Sequence, residues 1–269
     1  MTEANQVLLT RREGAVLVLS NNNVAARNAL SPEFYAAVTA ALKSAATDPT
    51  VGAVVLTGEG GHFCAGGDLR QLARRRELPV EERRAKLEGL HDLIRSVRDF
   101  PKPVIAAVEG AAAGAGLSLA LACDMLVAAK NAVFSVAYVK VGLTPDGGAT
   151  AFLAEFVSRQ VLTELCLTGE RISGERLHAL GPVNRLAEPG QALAEATALA
   201  RQVASGPEQA MARIKDLCRR APHHTLEQQL ELEAQHMVRS QETEESREGM
   251  GAFLDKRQPD YAKLRGAQA

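Results

Sequence analysis

Two glycine-rich stretches have the composition of sites for chemistry: residues 58–69 (GEGGHFCAGGDL) and residues 109–120 (EGAAAGAGLSLA). Each follows an apolar run and leads into a helical pattern. Small residues let a ligand come close to the backbone. Free N–H groups at a helix start then face that ligand and favour negative charge. Two such loops side by side would offer two N–H groups to one oxygen, the construction that stabilises a developing oxyanion. Taken singly, either loop reads as glycines that let a helix pack on a strand. The third feature is Asp146 in Pro145-Asp146-Gly147-Gly148. Spacing alone makes it a turn residue. Beside an oxyanion site it is also a carboxylate that can take a proton from carbon and return it elsewhere.

Other candidates are weaker. Ser118, in Gly116-Leu117-Ser118-Leu119-Ala120, falls one glycine short of a nucleophile elbow. A serine hydrolase would also need an ordered histidine, and nothing marks His178, His223, His224 or His236 as that partner. Ser118 therefore reads as a small helix residue lining a pocket. His223-His224 and the distant His236 lack metal-ligand spacing, so no metal is expected. Asp68 is placed to close the first loop by accepting backbone N–H bonds.

These residues need elements to hold them. Residues 7–20 read as two short strands around a turn at Glu13-Gly14. Ser31 caps a helix with Pro32 at its first position, and Asp48-Pro49 ends it near Thr47. Apolar strands are expected at 51–57, 104–108, 125–128 and 133–135. A charged stretch, residues 70–86, alternates in sign in its later part, as on a wet helix face, and a helix follows to about Arg98. Further helices are expected at about 115–123 and 149–157. Strand, glycine loop and helix recur, which predicts parallel pairing with helical crossovers. From Glu175 onward few strands are in view and Ala/Glu/Gln/Arg helices dominate. The expected division is a strand-and-helix core over 1–190 and a helical region over 191–269.

Composition narrows the function classes. The 269 residues are 46% hydrophobic and 23% charged, the balance of a globular protein. Lys plus Arg is 31 and Asp plus Glu is 32, so no global field favours nucleic acid or an anionic membrane. Aromatics are only 4% with no Trp, which argues against base-stacking platforms. Cys64, Cys123, Cys166 and Cys218 are scattered, which fits reduced thiols and a cytoplasmic protein. The N-terminus lacks the pattern of a signal peptide. Residues 111–129 are apolar but rich in Ala and Gly and interrupted by Asp124, so a buried segment is expected rather than a membrane span.

The motifs also carry a resemblance. Cys64-Ala65-Gly66-Gly67-Asp68-Leu69 is followed by Lys102-Pro103-Val104-Ile105-Ala106-Ala107-Val108-Glu109-Gly110 and by Ala113-Gly114-Ala115-Gly116. Then come Cys123-Asp124, Gly142-Leu143-Thr144-Pro145-Asp146-Gly147-Gly148, Leu167-Thr168-Gly169-Glu170-Arg171-Ile172-Ser173 and Arg247-Glu248-Gly249-Met250. In this order the chain resembles the crotonase (enoyl-CoA hydratase/isomerase) superfamily over nearly its whole length. The resemblance implies an α/β spiral of ββα turns with a C-terminal helical trimerisation region, assembled as a homotrimer or a dimer of trimers. It implies an acyl-CoA thioester substrate, with coenzyme A as part of the substrate and no separate cofactor. It further implies that the backbone N–H groups of Gly67 and Ala115 hold the thioester oxygen. CoA contacts are implied at Ala26, Ala65, Gly66, Asp68, Leu69, Phe253 and Lys256.

The departures from the hydratase pattern are equally informative. Hydratases of the superfamily use two glutamates, and those positions here are Ser118 and Tyr138. Neither side chain is a general base near neutral pH without special tuning. Asp146 stands where superfamily isomerases carry a proton-moving carboxylate. The surrounding sequence is similar to the phenylacetate-pathway isomerases and the related alternative oxepin-CoA hydrolases. The expectation is therefore an enzyme that moves protons with Asp146, shifting a double bond or rearranging a ring-derived thioester. Enoyl-CoA hydration, oxepin-CoA-type hydrolysis and acyl-CoA binding without catalysis stay open as alternatives.

Overall fold

The computed structural model describes residues 6–265; residues 1–5 and 266–269, the outer ends of the two expected regions, lie outside the described residues. Strands β1 (Leu8–Glu13) and β2 (Val16–Asn21) form an antiparallel hairpin. Ser31 then caps α1 (Pro32–Thr47), accepting a hydrogen bond from the Phe34 N–H. Phe34, Val38, Leu42 and Ala45 form the buried stripe of α1, spaced to fall on one helix face. β3 (Ala53–Gly58) follows, then the first glycine loop. The charged stretch forms two helices, α2 (Leu69–Arg75) and α3 (Val80–Arg98), with Leu78 and Pro79 between them.

β4 (Val104–Val108) leads directly into a short strand, β5 (Ala111–Ala113), and then α4 (Ala115–Leu121). β6 (Met125–Ala129) and β7 (Val133–Ser135) repeat that strand pair. Next come α5 (Ala149–Ala154), α6 (Arg159–Thr168), β8 (Ile172–Ser173), α7 (Gly174–Ala179) and β9 (Arg185–Ala187). The chain ends in α8 (Ala192–Ala204), α9 (Glu208–Arg220), α10 (Leu226–Gln241) and α11 (Glu244–Leu254).

The large sheet has six strands in the order β1-β2-β3-β4-β6-β9, parallel throughout except for the β1–β2 hairpin. The small sheet has the order β5-β7-β8. Each turn of the chain adds a strand to the large sheet and then a pairing in or beside the small one. After β3 that second pairing is a bridge from Cys64 to Ala112. After β4 and β6 it is β5 against β7. This is the ββα spiral that the resemblance implies.

Burial on both faces explains the apolar strands. One face of the large sheet packs with α1 and α3 through Leu19, Val54, Leu56, Val104 and Ala106. The other carries Val16, Val18, Ala53, Val55, Ile105 and Ala107 against Ala192, Ala196, Leu199 and Ala200 of α8. The strand-and-helix body thus continues through α8, past residue 190. Residues 111–129 become β5, α4 and β6, and among the described residues no helix is long and apolar enough to cross a membrane.

The last three helices are tied on by polar contacts. The Lys215 Nζ of α9 donates to the carbonyls of Phe100 and Lys102 and pairs with the Asp124 carboxylate at 2.7 Å. Glu245 of α11 is buried and accepts from the Gln209 and Ala210 N–H groups at the start of α9, where the helix dipole favours a carboxylate. Ile214, Leu230, Met237, Met250, Phe253 and Leu254 stay exposed on these helices.

Candidate active site

The first glycine loop is stitched to its neighbours on both sides. The Cys64 N–H donates to Ala111 O at 2.9 Å, and the Ala113 N–H donates to Cys64 O at 3.0 Å. On the other side the Leu30 N–H donates to Gly66 O at 2.8 Å. The two loops touch so closely that side chains are excluded. A Cβ on Gly116 would lie 2.4 Å from Cys64 O. A Cβ on Gly66, whose φ is +97°, would lie 2.7 Å from Ala113 O and 3.7 Å from Ala115 N. The N–H of Gly67 and that of Ala115, the first residue of α4, both border the cleft described below, and neither donates to a protein acceptor among the described residues. Asp68 has the expected closing role, accepting from the Arg70 and Gln71 N–H groups as the N-cap of α2.

A cleft of about 650 Å³ opens over this junction. Ala65, Gly66, Gly67, Asp68, Leu69 and Ala115 form part of its wall, together with Tyr138 and Asp146. Ala26 lies on an exposed turn beside the first loop, where Arg27 O accepts from the Ala65 N–H at 3.0 Å, and is outside the cleft wall. Phe253 and Lys256, at the end of α11, are exposed and also outside it.

Asp146 is hydrogen-bonded through both its side chain and its backbone carbonyl. Its Oδ1 accepts from the Tyr138 hydroxyl at 2.8 Å, and its backbone carbonyl accepts from Ser118 Oγ at 3.0 Å. Ser118 Oγ also lies 3.4 Å from the Tyr138 hydroxyl. Ser118 is fully buried behind Tyr138 and supports the site from beneath rather than lining the cleft. The two positions where hydratases carry glutamates therefore form one hydrogen-bonded set with Asp146.

Burial and neighbouring groups perturb both titratable members of this set. Burial pushes the Asp146 carboxyl above its ordinary range, while the Tyr138 hydrogen bond and the positive fields of His91 and Arg75 pull it down. Burial, then the nearby Asp146 charge, pushes the Tyr138 phenol up, so it stays a donor. Perturbed groups facing a cleft mark functional sites. Among the described residues Asp68 and Asp146 are the carboxylates in the cleft wall, and Asp68 is occupied as a helix cap.

Three further cleft residues were not singled out by sequence: Tyr35 of α1, Arg75 of α2 and His91 of α3. Burial raises the Tyr35 phenol to about 12, with Arg75 opposing. The charged run containing Arg75 read as a solvated face, and only the packing of α1 and α3 reveals its inward side. No group of three His, Cys, Asp or Glu among the described residues is placed to hold a metal ion.

Comparison with known proteins places this geometry in context. The family profile described as enoyl-CoA hydratase/isomerase matches residues 11–264. A 1,2-epoxyphenylacetyl-CoA isomerase of Escherichia coli K12 is 34% identical over 257 residues, covering 95% of this chain and 98% of the relative. A 2,3-dehydroadipyl-CoA hydratase of the same organism is 34% identical over 255 residues, covering 94% and 98%. The crystal structure of an enoyl-CoA hydratase from Polaromonas sp. JS666 superposes with a TM-score of 0.92 at 50% identity, covering 94% of this chain and 98% of the other. Equal identity to an isomerase and a hydratase gives the phenylacetate-pathway group no preference over general hydratases. With a profile match over residues 11–264 and relatives above 30% identity, the chain belongs to the enoyl-CoA hydratase/isomerase (crotonase) family of acyl-CoA enzymes.

Proposed function

We propose that this enzyme binds an enoyl-CoA thioester with its carbonyl oxygen between the Gly67 and Ala115 N–H groups and moves protons with Asp146. The carboxylate takes a proton from the carbon chain, and the electrons released shift the double bond and collect on the thioester oxygen as an enolate. Two fixed N–H dipoles in a partly water-excluded cleft lower the energy of that charge. Asp146 then returns the proton at another carbon, the electrons flow back, and the product is a positional isomer. The observation that carries this reading is a single uncommitted carboxylate, held by Tyr138, facing the junction of two loops whose N–H groups have no protein partner.

Hydration is the second reading, favoured by the hydratase names of relatives, including the Polaromonas protein. Asp146 would then take a proton from water as its oxygen adds to the carbon β to the thioester, and the enolate would be protonated at the α carbon. Incubation of trans-2- and trans-3-enoyl-CoA in deuterated water separates the two. Interconversion of the enoyl thioesters without a 3-hydroxyacyl product supports isomerisation; a 3-hydroxyacyl product as the main outcome supports hydration. No product from either, with binding intact, would favour an acyl-CoA-binding role and remove both.

A homotrimer or dimer of trimers would cover the exposed apolar residues of α9–α11, because closed symmetric assemblies bury such faces. It would also bring Phe253 and Lys256 of one subunit toward a neighbour's cleft. A monomeric mass by light scattering at micromolar concentration would count against this assembly.

A further inference from the structure

Two half-buried polar side chains in the cleft wall, Arg75 and Tyr35, are left without a protein partner among the described residues, whereas Arg76, Arg83 and Lys140 of the same wall are exposed to solvent. Arg75, the last residue of α2, is half-buried in the cleft wall and makes no hydrogen bond or ion pair with any described residue. Tyr35 on α1 is likewise half-buried in that wall, and its hydroxyl has no hydrogen-bond partner. Nearby Arg95, by contrast, pairs with Glu88 and Asp92 at 2.7 Å each. His91 joins the same wall, with its Nδ1 3.4 Å from Glu88 Oε2. Arg75, Tyr35 and His91 share the cleft wall with Asp146. The field of the Arg75 guanidinium reaches both Asp146 and Tyr35 and lowers the carboxyl and the phenol.

The chemistry of this wall is specific. A guanidinium presents a planar fork of N–H donors that matches a carboxylate. A neutral phenol adds one more donor. A plain alkyl chain seated here would desolvate both groups and pair neither, which is costly. We infer that the acyl group turned over at Asp146 carries a carboxylate remote from its thioester, held by Arg75 and Tyr35, so that the preferred substrates are CoA monothioesters of dicarboxylic acids. The inference rests on the reading of Asp146 as the reacting group, because that reading sets which end of the cleft holds the acyl chain.

Saturated thioesters test it without turnover. Calorimetry would compare adipyl-CoA, hexanoyl-CoA and free CoA on the wild-type enzyme and on Arg75→Leu, Arg75→Gln and Tyr35→Phe. The expected result is adipyl-CoA binding about tenfold or more tighter than hexanoyl-CoA, as for a charge-assisted hydrogen bond. Both Arg75 variants should erase that preference and leave free CoA unchanged, and Tyr35→Phe should narrow it. Equal binding of the two thioesters to wild type would overturn the inference. So would an Arg75 variant that weakens all three ligands alike, because Arg75 would then hold a CoA phosphate. Asp146→Asn should keep the adipyl preference while losing turnover. An Asp146→Asn enzyme that still turns over would remove the proton-transfer reading, whereas loss of the preference in wild type would remove only the carboxylate-holding role.

Discussion

Removing the Tyr138 hydroxyl isolates what holds Asp146 ready. That hydroxyl donates to Asp146 Oδ1 at 2.8 Å and favours the ionised carboxylate. A hydrogen bond to a charged acceptor is worth about 1.5–3 kcal/mol, which corresponds to about one to two pKa units. Burial already sets the Asp146 carboxyl above its ordinary value, so Tyr138→Phe should raise it further. Asp146 acts as a base only when ionised, which is the case above its pKa. The acid limb of kcat/KM against pH should therefore move upward by about one to two units. Well above both limbs, the variant should work at nearly the wild-type rate. The assay follows the enoyl-CoA chromophore across pH for wild type, Tyr138→Phe and Ser118→Ala. Ser118 reaches the Asp146 backbone carbonyl rather than its carboxylate, so Ser118→Ala should leave the limb in place. A uniform loss at every pH with an unmoved limb would refute the reasoning and give the proton to Tyr138 itself.

Three further outcomes are expected. Asp146→Asn keeps the size and turn chemistry but cannot carry a proton. Turnover should fall on the order of a hundredfold or more, while thioester affinity by calorimetry stays near wild type. Gly116→Ala would place a Cβ 2.4 Å from Cys64 O and 2.8 Å from Cys64 Sγ. It should cost about 1–3 kcal/mol of stability in denaturant unfolding and lower kcat by separating the two loops. Lys102 is 1% exposed and its Nζ donates to Asp48 O at 2.8 Å and Val51 O at 3.0 Å. Lys102→Met leaves those carbonyls unpaired and should cost on the order of 3 kcal/mol, read as a lower denaturant midpoint at unchanged slope.

Local signals were legible in the sequence wherever the cause is local. The hairpin turn, found at Gly14-Ala15 one residue beyond the expected Glu13-Gly14, the Ser31-Pro32 helix start and the Asp68 cap depend on residues within a few positions of one another. β5 was hidden within the second glycine loop because Ala111–Ala113 carries no strand preference of its own. It is a strand because β7 pairs with it and Cys64 bridges to it. The α8 stripe of Ala192, Ala196 and Ala200 resembles the Ala-rich helices beyond it. Only its packing on the sheet face of Val16, Val18, Val55 and Ile105 distinguishes it. The same limit applies in the cleft. Gly67, Ala115 and Asp146 sit in motifs, whereas Tyr35, Arg75 and His91 lie on three different helices and meet only through tertiary packing.

The hydrogen bonds of Ser118 and Tyr138 bear directly on the choice between reactions. Two-carboxylate hydration divides its work: one group activates water while another delivers the proton. Here both corresponding side chains are neutral and both are committed to Asp146, one through its carbonyl and one through its carboxylate. Ser118 is fully buried beneath the site, and a Cβ on Gly147 would stand 3.0 Å from its Cβ. A second carboxylate this close would raise the Asp146 pKa by like-charge repulsion and withhold the base near neutral pH. A neutral hydroxyl donor instead pulls that pKa down without adding charge. In the proposed isomerisation Asp146 is the one group that both takes and returns the proton, and a single carboxylate tuned in this way meets that demand.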